Sequence, residues 1–150
     1  MKKIYKILFT FFLVMGISSN AISSEDFFKK GLELFKEKKL DDAKFMFERS
    51  IVFNPKDSNS YLYLAKIYNI EENQEKEEKN LEATLLIEPN NEEAMLMLMK
   101  IALEKSNYSK VKSLSEDFVK VCKNLCNENK SILDSLANLE PKNESWSKFE

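Results

Sequence analysis

The spacing of two prolines is the feature that most constrains how this 150-residue chain can fold. Pro55 and Pro89 lie 34 residues apart, and the residues that precede each proline repeat with the same offset. Six aligned pairs keep this offset: Phe27 with Tyr61, Gly31 with Ala65, Leu34 with Tyr68, Phe47 with Leu81, Ser50 with Thr84, and Phe53 with Ile87. A period of this length is typical of stacked helix-turn-helix units, so we expect a helical solenoid.

Apolar residues within each unit recur at helical spacing. We call the first helix of each unit helix A and the second helix B. In helix A of the second unit, one face carries Tyr61, Leu64, Ala65 and Tyr68 at positions i, i+3, i+4 and i+7. In helix B of the first unit, Ala43, Phe47 and Ser50 follow at i, i+4 and i+7. Small residues allow two helix backbones to approach closely. We therefore expect Gly31 and Ala43 to mark the contact between helices A and B.

These residues resemble the tetratricopeptide-repeat (TPR) pattern, in which helix A carries a large residue, Leu, Gly or Ala, and Tyr. Helix B then carries Ala, a large residue and a small residue, and a proline closes the unit. The resemblance implies an all-α fold, a short right-handed α-solenoid, with a first repeat at 24–57 and a second at 58–91. The first repeat departs from the family at Lys30, where Leu is preferred, and the second at Glu77, where Ala is preferred.

The resemblance weakens after the second repeat. A third, degenerate repeat at 92–125 keeps Met95, Leu98, Ala102, Tyr108 and Val111. It lacks the closing proline and has Phe118 where the family usually has a small residue. Beyond it, helical spacing of Ile132, Leu133, Leu136 and Leu139 predicts an amphipathic helix at 127–140 that caps the solenoid. We expect residues 141–150 to form a polar tail.

The beginning of the chain predicts a signal peptide at 1–21. A basic head with three lysines precedes an apolar run of eleven residues at 7–17, which is too short to span a bilayer. Small residues follow, and we expect cleavage after Ala21, with Ser23 as the alternative end. An uncleaved signal that anchors the chain in the membrane is the other interpretation. The short lysine-led head is typical of bacteria, so we expect a periplasmic or secreted protein.

Composition argues against several function classes. Loss of the signal removes three of 23 basic residues and leaves 20 against 25 acidic residues, a net charge near −5. We expect no nucleic-acid partner, because such binding needs a basic face. The chain has no histidine and no Gly-rich phosphate loop, so we expect no enzyme activity, cofactor or metal. An acidic run interleaved with lysines is interpreted as a solvated helix face: Glu71, Glu72, Glu75, Glu77 and Glu78.

Cys122 and Cys126 are the only cysteines of the chain. In an oxidising compartment a disulfide between them is one hypothesis, and two buried, reduced thiols are the other. Four residues apart on a continuous helix, their Cα atoms would be about 6 Å apart, near the upper limit for a bridge. Pairing would therefore favour a helix that ends near residues 124–126.

The resemblance also implies a groove lined by the exposed side of the A helices, where a protein or peptide partner binds. The family's groove positions fall here on Phe28, Leu32, Phe35, Leu62, Tyr63, Lys66, Asn69, Leu96, Met97, Lys100 and Leu103. Most are apolar, so we expect an apolar or amphipathic segment, with Lys66 and Lys100 steering acidic flanks. The carboxylate clamp of chaperone-binding relatives needs Lys and Asn in place of Phe28 and Leu32, so that specificity is not implied.

Three function hypotheses remain open from the sequence. The first is an exported, non-catalytic adaptor that binds a segment in the groove. The second is a structural or self-assembling subunit of a cell-envelope complex, and the third is an accessory to an enzyme whose active centre lies on a partner. The groove could also be covered by the N-terminal segment, by a second copy, or by the tail through Trp146 and Phe149.

Overall fold

The computed structural model describes residues 23–139, and within this range the chain forms seven α-helices and no β-strand. The helices are α1 (Ser24–Lys36), α2 (Leu40–Phe53), α3 (Ser58–Ile70), α4 (Gln74–Ile87), α5 (Glu92–Glu104), α6 (Tyr108–Val121) and α7 (Cys126–Leu139). The predicted all-α class is confirmed. The predicted signal at 1–21 and the tail at 141–150 lie outside the described residues.

Consecutive helices pack against each other in chain order, so each element finds its main partner next to it in the sequence. Helices α1, α3 and α5 occupy the positions expected for helix A of each unit, and α2, α4 and α6 those of helix B. The last helix, α7, contacts both α6 and α5. This arrangement is an α-solenoid that begins at α1 and is closed by α7.

The turn from helix A to helix B is the same in all three units. Its middle residue has a left-handed backbone conformation, with φ of 60° at Lys38, 56° at Glu72 and 55° at Ser106. The next N–H donates to the carbonyl five residues earlier, in the pairs Lys39 to Leu34 (3.0 Å), Asn73 to Tyr68 (2.8 Å) and Asn107 to Ala102 (2.8 Å). The backbone therefore keeps the 34-residue period even in the third unit, where the sequence pattern is weak.

Side-chain caps start most of the helices. The cap oxygen accepts the N–H of the residue three positions later at Ser23, Asp57, Asn73, Asn91 and Asn107. At Ser23 the Asp26 carboxylate also accepts the Ser23 N–H, which completes a capping box. These caps fix where each helix begins along the repeat.

Helices α1 and α2 approach most closely at Gly31. Phe47 of α2 is completely buried, and a Cβ added to Gly31 would lie 2.6 Å from Cε1 of this ring. Only glycine fits that position while the ring keeps its place. Ala65 and Leu81, both fully buried, take the equivalent positions in the second unit. The expected contact of Gly31 with the B helix thus runs through Phe47.

Phe118 fills the end of the solenoid. Its side chain is fully buried in a cluster that joins α5, α6 and α7 and contains Met99, Val111, Ile132 and Leu136. The opposite face of α7 is exposed and polar at Lys130, Asp134 and Asn138. A large residue at this position therefore supplies the apolar contact surface on which α7 packs.

Within residues 23–139, no helix is both long enough and apolar enough to cross a membrane.

Candidate functional site

One face of the solenoid brings together residues from α1, α3 and α5. Aromatic contacts join α1 to α3, because the Tyr63 ring lies 5.8 Å from the Phe28 ring and 5.3 Å from the Phe35 ring, both edge-on. An ion pair of 2.8 Å between Lys66 and Glu93 joins α3 to α5. This surface, which we call the A-helix face, contains the positions that the sequence assigns to a groove.

The aromatic side chains of the A-helix face form its floor at the α1 end. Tyr63 stacks on buried Phe47 with ring centroids 5.3 Å apart, and Phe28 contacts the same ring at 5.8 Å. Phe28, Leu32, Phe35 and Tyr63 are all half-buried and packed against the core of the first two units. These residues therefore expose only part of their apolar surface to a partner.

Two predicted groove residues belong to the core. Leu62 and Leu96 are each only 5% exposed, so a partner on the A-helix face would not contact them extensively. Met97 and Leu103 are half-buried, while Asn69 and Lys100 are exposed.

Lys66 is engaged within the chain. Besides its ion pair with Glu93, its Nζ lies 4.5 Å from the centroid of the Tyr63 ring. The Glu93 carboxylate offsets the positive charge of Lys66, which weakens the attraction of this lysine for an acidic partner.

A small polar cavity opens where α3, α4 and α5 meet. It encloses about 150 Å³ and is lined by Asn69, Glu77, Met97, Lys100, Ile101 and Glu104. Glu77 is only 4% exposed, and its Oε1 accepts a hydrogen bond of 3.1 Å from Nδ2 of Asn69. Glu104 Oε2 accepts a bond of 2.7 Å from Nε2 of Gln74. We call this cavity the Glu77 pocket.

A second cavity, of about 480 Å³, lies at the turn between α1 and α2. Its lining is largely apolar and consists of Phe35, Lys36, Lys38, Leu40 and Ile70. It shares Phe35 with the A-helix face, but its other residues lie at the edge of the solenoid.

Cys122 and Cys126 form a disulfide, and their Cα atoms are 5.4 Å apart. Helix α6 ends at Val121 and α7 begins at Cys126, so the bridge spans a break between helices. The interrupted helix agrees with the condition that the sequence set for pairing, but the first helix ends before the expected residues 124–126, because the loop at 122–125 lies between the two helices.

The disulfide loop binds a carboxylate from α5. The two Glu92 oxygens accept hydrogen bonds from three successive backbone N–H groups: Lys123 at 2.8 Å, Asn124 at 3.1 Å and Leu125 at 2.7 Å. These bonds, that of Leu125 foremost, lower the pKa of Glu92. The loop thereby ties the start of α7 to the start of α5.

Within residues 23–139, no group of three or more Cys, Asp or Glu side chains has the arrangement needed to hold a metal ion.

Comparison with known proteins gives matches among solved structures. No protein-family profile and no curated protein sequence matches the chain. The first TPR domain of Spaghetti (RPAP3), bound to an HSP90 peptide, has a TM-score of 0.66 and 18% identity over 81% of this chain and 99% of that domain. The Yersinia enterocolitica type III secretion chaperone SycD, in complex with a peptide of the translocator YopD, has a TM-score of 0.69 and 16% identity over 82% of this chain and 97% of SycD.

A third solved structure agrees with these two. The TPR2B domain of yeast Sti1, in complex with pHsp70, has a TM-score of 0.69 and 12% identity over 77% of this chain and 96% of that domain. The chain has a tetratricopeptide-repeat fold. The predicted TPR solenoid is therefore confirmed, and identities of 12% to 18% restrict the likeness to the fold.

Within the TPR fold, Glu77 occupies a helix B position that the family pattern gives to alanine. The interpretation of the acidic run as a solvated face is therefore wrong at Glu77, because the residue points between helices and is buried. The alignment of Glu77 with buried Ala43, 34 residues earlier, was the sequence signal for this burial. Burial raises the pKa of the Glu77 carboxyl, the Asn69 hydrogen bond opposes this shift, and the nearby Glu104 carboxylate adds to it.

We expect Glu77→Gln to stabilise the TPR fold at neutral pH. A carboxyl whose pKa is raised on folding makes the folded state bind more protons than the unfolded state, so stability falls as pH rises through that window. Glutamine does not ionise, so it removes this loss of stability at high pH, and its side-chain oxygen can still accept the hydrogen bond from Asn69. Thermal unfolding should give a higher Tm for the variant at pH 7, with the difference shrinking toward pH 4.

The matched control is Glu75→Gln, which removes the same charge from an exposed position on the same helix. This control should leave the Tm at pH 7 nearly unchanged. A lower Tm for Glu77→Gln than for the parent at pH 7 would contradict the stated effect of burial.

Removal of the disulfide should loosen α7. The five-residue loop that it closes corresponds to about 2 kcal/mol in the chain-entropy description of cross-links. We therefore expect Cys122→Ser with Cys126→Ser, or reduction, to lower the free energy of unfolding by about 2 kcal/mol and to move the midpoint of urea unfolding to a lower urea concentration. Equal midpoints for the oxidised and reduced protein would show that the loop is held without the bridge.

Proposed function

We propose that this chain is an exported, non-catalytic TPR scaffold that binds a peptide or protein segment along the A-helix face. The observation that carries the proposal is the continuity of this face: a half-buried aromatic floor from α1 and α3 leads to a polar pocket beside α5. An apolar floor with a few placed polar groups is typical of a peptide site.

The solved TPR structures support this proposal by analogy. The Spaghetti domain is bound to an HSP90 peptide, SycD to a YopD peptide, and the Sti1 domain is in complex with pHsp70. The groove side chains of this chain differ from a lysine and asparagine clamp, so its segment would be a different one.

Export to the periplasm or the outside is part of the same proposal. It is supported by the signal-like pattern at 1–21 and by the disulfide of Cys122 and Cys126, because disulfides persist in oxidising compartments.

A second candidate function is a structural subunit that associates through the B helices. Several large apolar side chains on α2, α4 and α6 are exposed, including Phe45 at 52%, Val52 at 75%, Leu86 at 86% and Val119 at 64%. Exposed apolar surface of this kind favours association when it is contiguous. The contact would then lie away from the A-helix face.

Site-specific photocrosslinking in the host cell separates the two functions. A photoreactive residue replaces exposed Lys100 on the A-helix face or, as the matched control, exposed Leu86 on α4. If the A-helix face binds a segment, we expect crosslinks to another protein from position 100 and not from position 86. Adducts from position 86 alone, especially between copies of this chain, would reject the groove and support the structural subunit.

A further inference from the structure

We propose that the Glu77 pocket binds the ammonium or guanidinium group of one basic side chain of the bound segment. This inference deepens the proposed function and rests on it, since the segment must lie along the A-helix face. It assigns a role to the buried glutamate that replaces the family's alanine.

The pocket offers hydrogen-bond acceptors that have no donor. Oε2 of Glu77, Oε1 of Glu104 and Oδ1 of Asn69 make no hydrogen bond to any residue in the range 23–139, although the other polar atom of each side chain does. Glu77 is only 4% exposed, so few water molecules can reach its carboxylate, and a donor from a ligand would replace them. A lysine ammonium has three donors and no acceptor, which matches this set.

The remaining walls suit the aliphatic part of a basic side chain. Ile101 is buried and Met97 is half-buried, and both line the pocket beside the carboxylates. Lysine and arginine bury their methylene groups along apolar surface while the charged end contacts polar groups. A volume of about 150 Å³ accommodates a side-chain end but not a folded segment.

The charge balance also favours a cation. Glu77 and Glu104 are close enough for the Glu104 charge to act on Glu77, and a positive ligand would relieve their repulsion. Lys100 lines the same pocket but is exposed and makes no ion pair with a residue of the described range. Lys66 is already paired with Glu93. We therefore infer a basic segment rather than the acidic flanks expected from the two lysines.

A double-mutant cycle with selected peptides tests this inference. Peptides are selected from a random display library on the mature chain, and those that crosslink at position 100 are kept as groove ligands. The dissociation constant of each peptide is compared with that of a version in which norleucine replaces one Lys or Arg. Both are measured on the parent protein, on Glu77→Gln and on Glu75→Gln.

The inference expects groove ligands to carry a basic residue whose replacement weakens binding tenfold or more. The same replacement should have less than a threefold effect on Glu77→Gln and its full effect on Glu75→Gln. Because Glu77→Gln is expected to unfold at a higher temperature than the parent, unfolding would not account for its loss of affinity, and its Tm is measured alongside.

Two failures have different meanings. Groove ligands without a basic residue, or with equal effects on all three proteins, would overturn the inference and leave the proposed function standing; this is also the result if Lys100 itself fills the pocket. The absence of any peptide that crosslinks at position 100 would reject the groove and the inference with it.

Discussion

Phe118→Ala should destabilise the protein by about 3–5 kcal/mol, although it restores the small residue that the TPR pattern prefers. The ring is fully buried between α5, α6 and α7, where it contacts the cluster of Met99, Val111, Ile132 and Leu136. Truncation would leave a cavity under the last helix, and rigid neighbouring helices would fill it only partly. The free energy of unfolding, from urea titration monitored by circular dichroism, measures the effect.

The matched control for this substitution is Val119→Ala, on the same helix but 64% exposed. Its free energy of unfolding should change by no more than about 0.5 kcal/mol. If Phe118→Ala were neutral or stabilising, a small residue would suit this position, and α7 would not pack on the Phe118 ring.

Phe47→Ala should have a comparable effect, about 3–5 kcal/mol, because this fully buried ring of α2 packs against Gly31 of α1. Gly31→Ala should also destabilise, since its new Cβ would lie 2.6 Å from Cε1 of Phe47 in the present geometry. The two effects are coupled. In a Phe47→Ala background the ring is gone, so Gly31→Ala should become neutral or stabilising through its better helix propensity.

The control on α2 is Phe45→Ala, which truncates the same side chain at a position that is 52% exposed. It should cost about 1 kcal/mol or less, because half of the ring already contacts water. Additive effects of Gly31→Ala and Phe47→Ala would contradict the close contact between the two residues.

The sequence predicts the helices well because their signals are local and repeated. The offset between Pro55 and Pro89, and the i, i+4 spacing of apolar residues such as Ala43 and Phe47, are consequences of helix geometry that any alignment of the two units reveals. The left-handed turn residues show no such signal. Lys38, Glu72 and Ser106 differ in chemistry, and only the backbone repeats.

The candidate site is harder to predict, because the position of a residue on a helix face does not show how deeply its side chain is buried. Leu62 and Asn69 both lie on the A-helix face, yet Leu62 is 5% exposed and Asn69 is exposed. The difference arises from tertiary packing of neighbouring helices, which has no local sequence signature. A charge placed at Leu62 would therefore disrupt the core, and substitutions that test binding belong at Asn69, Lys100 or Glu77.

The disulfide loop was predictable only in part. The spacing of Cys122 and Cys126 required a helix break for pairing, and the break is there. Glu92 accepts hydrogen bonds from three loop N–H groups that lie 31 to 33 residues away in the sequence. Neither segment alone predicts these long-range bonds.

Binding of a segment along α1, α3 and α5 can be measured by an NMR titration of the chain without residues 1–21 with a groove-crosslinking peptide. We expect amide shifts to change at A-helix positions such as Asn69, Lys100 and Leu103, and to stay constant at Val52, Leu86 and Val119 on the B helices. Shift changes confined to the B helices, with none on the A-helix face, would contradict it.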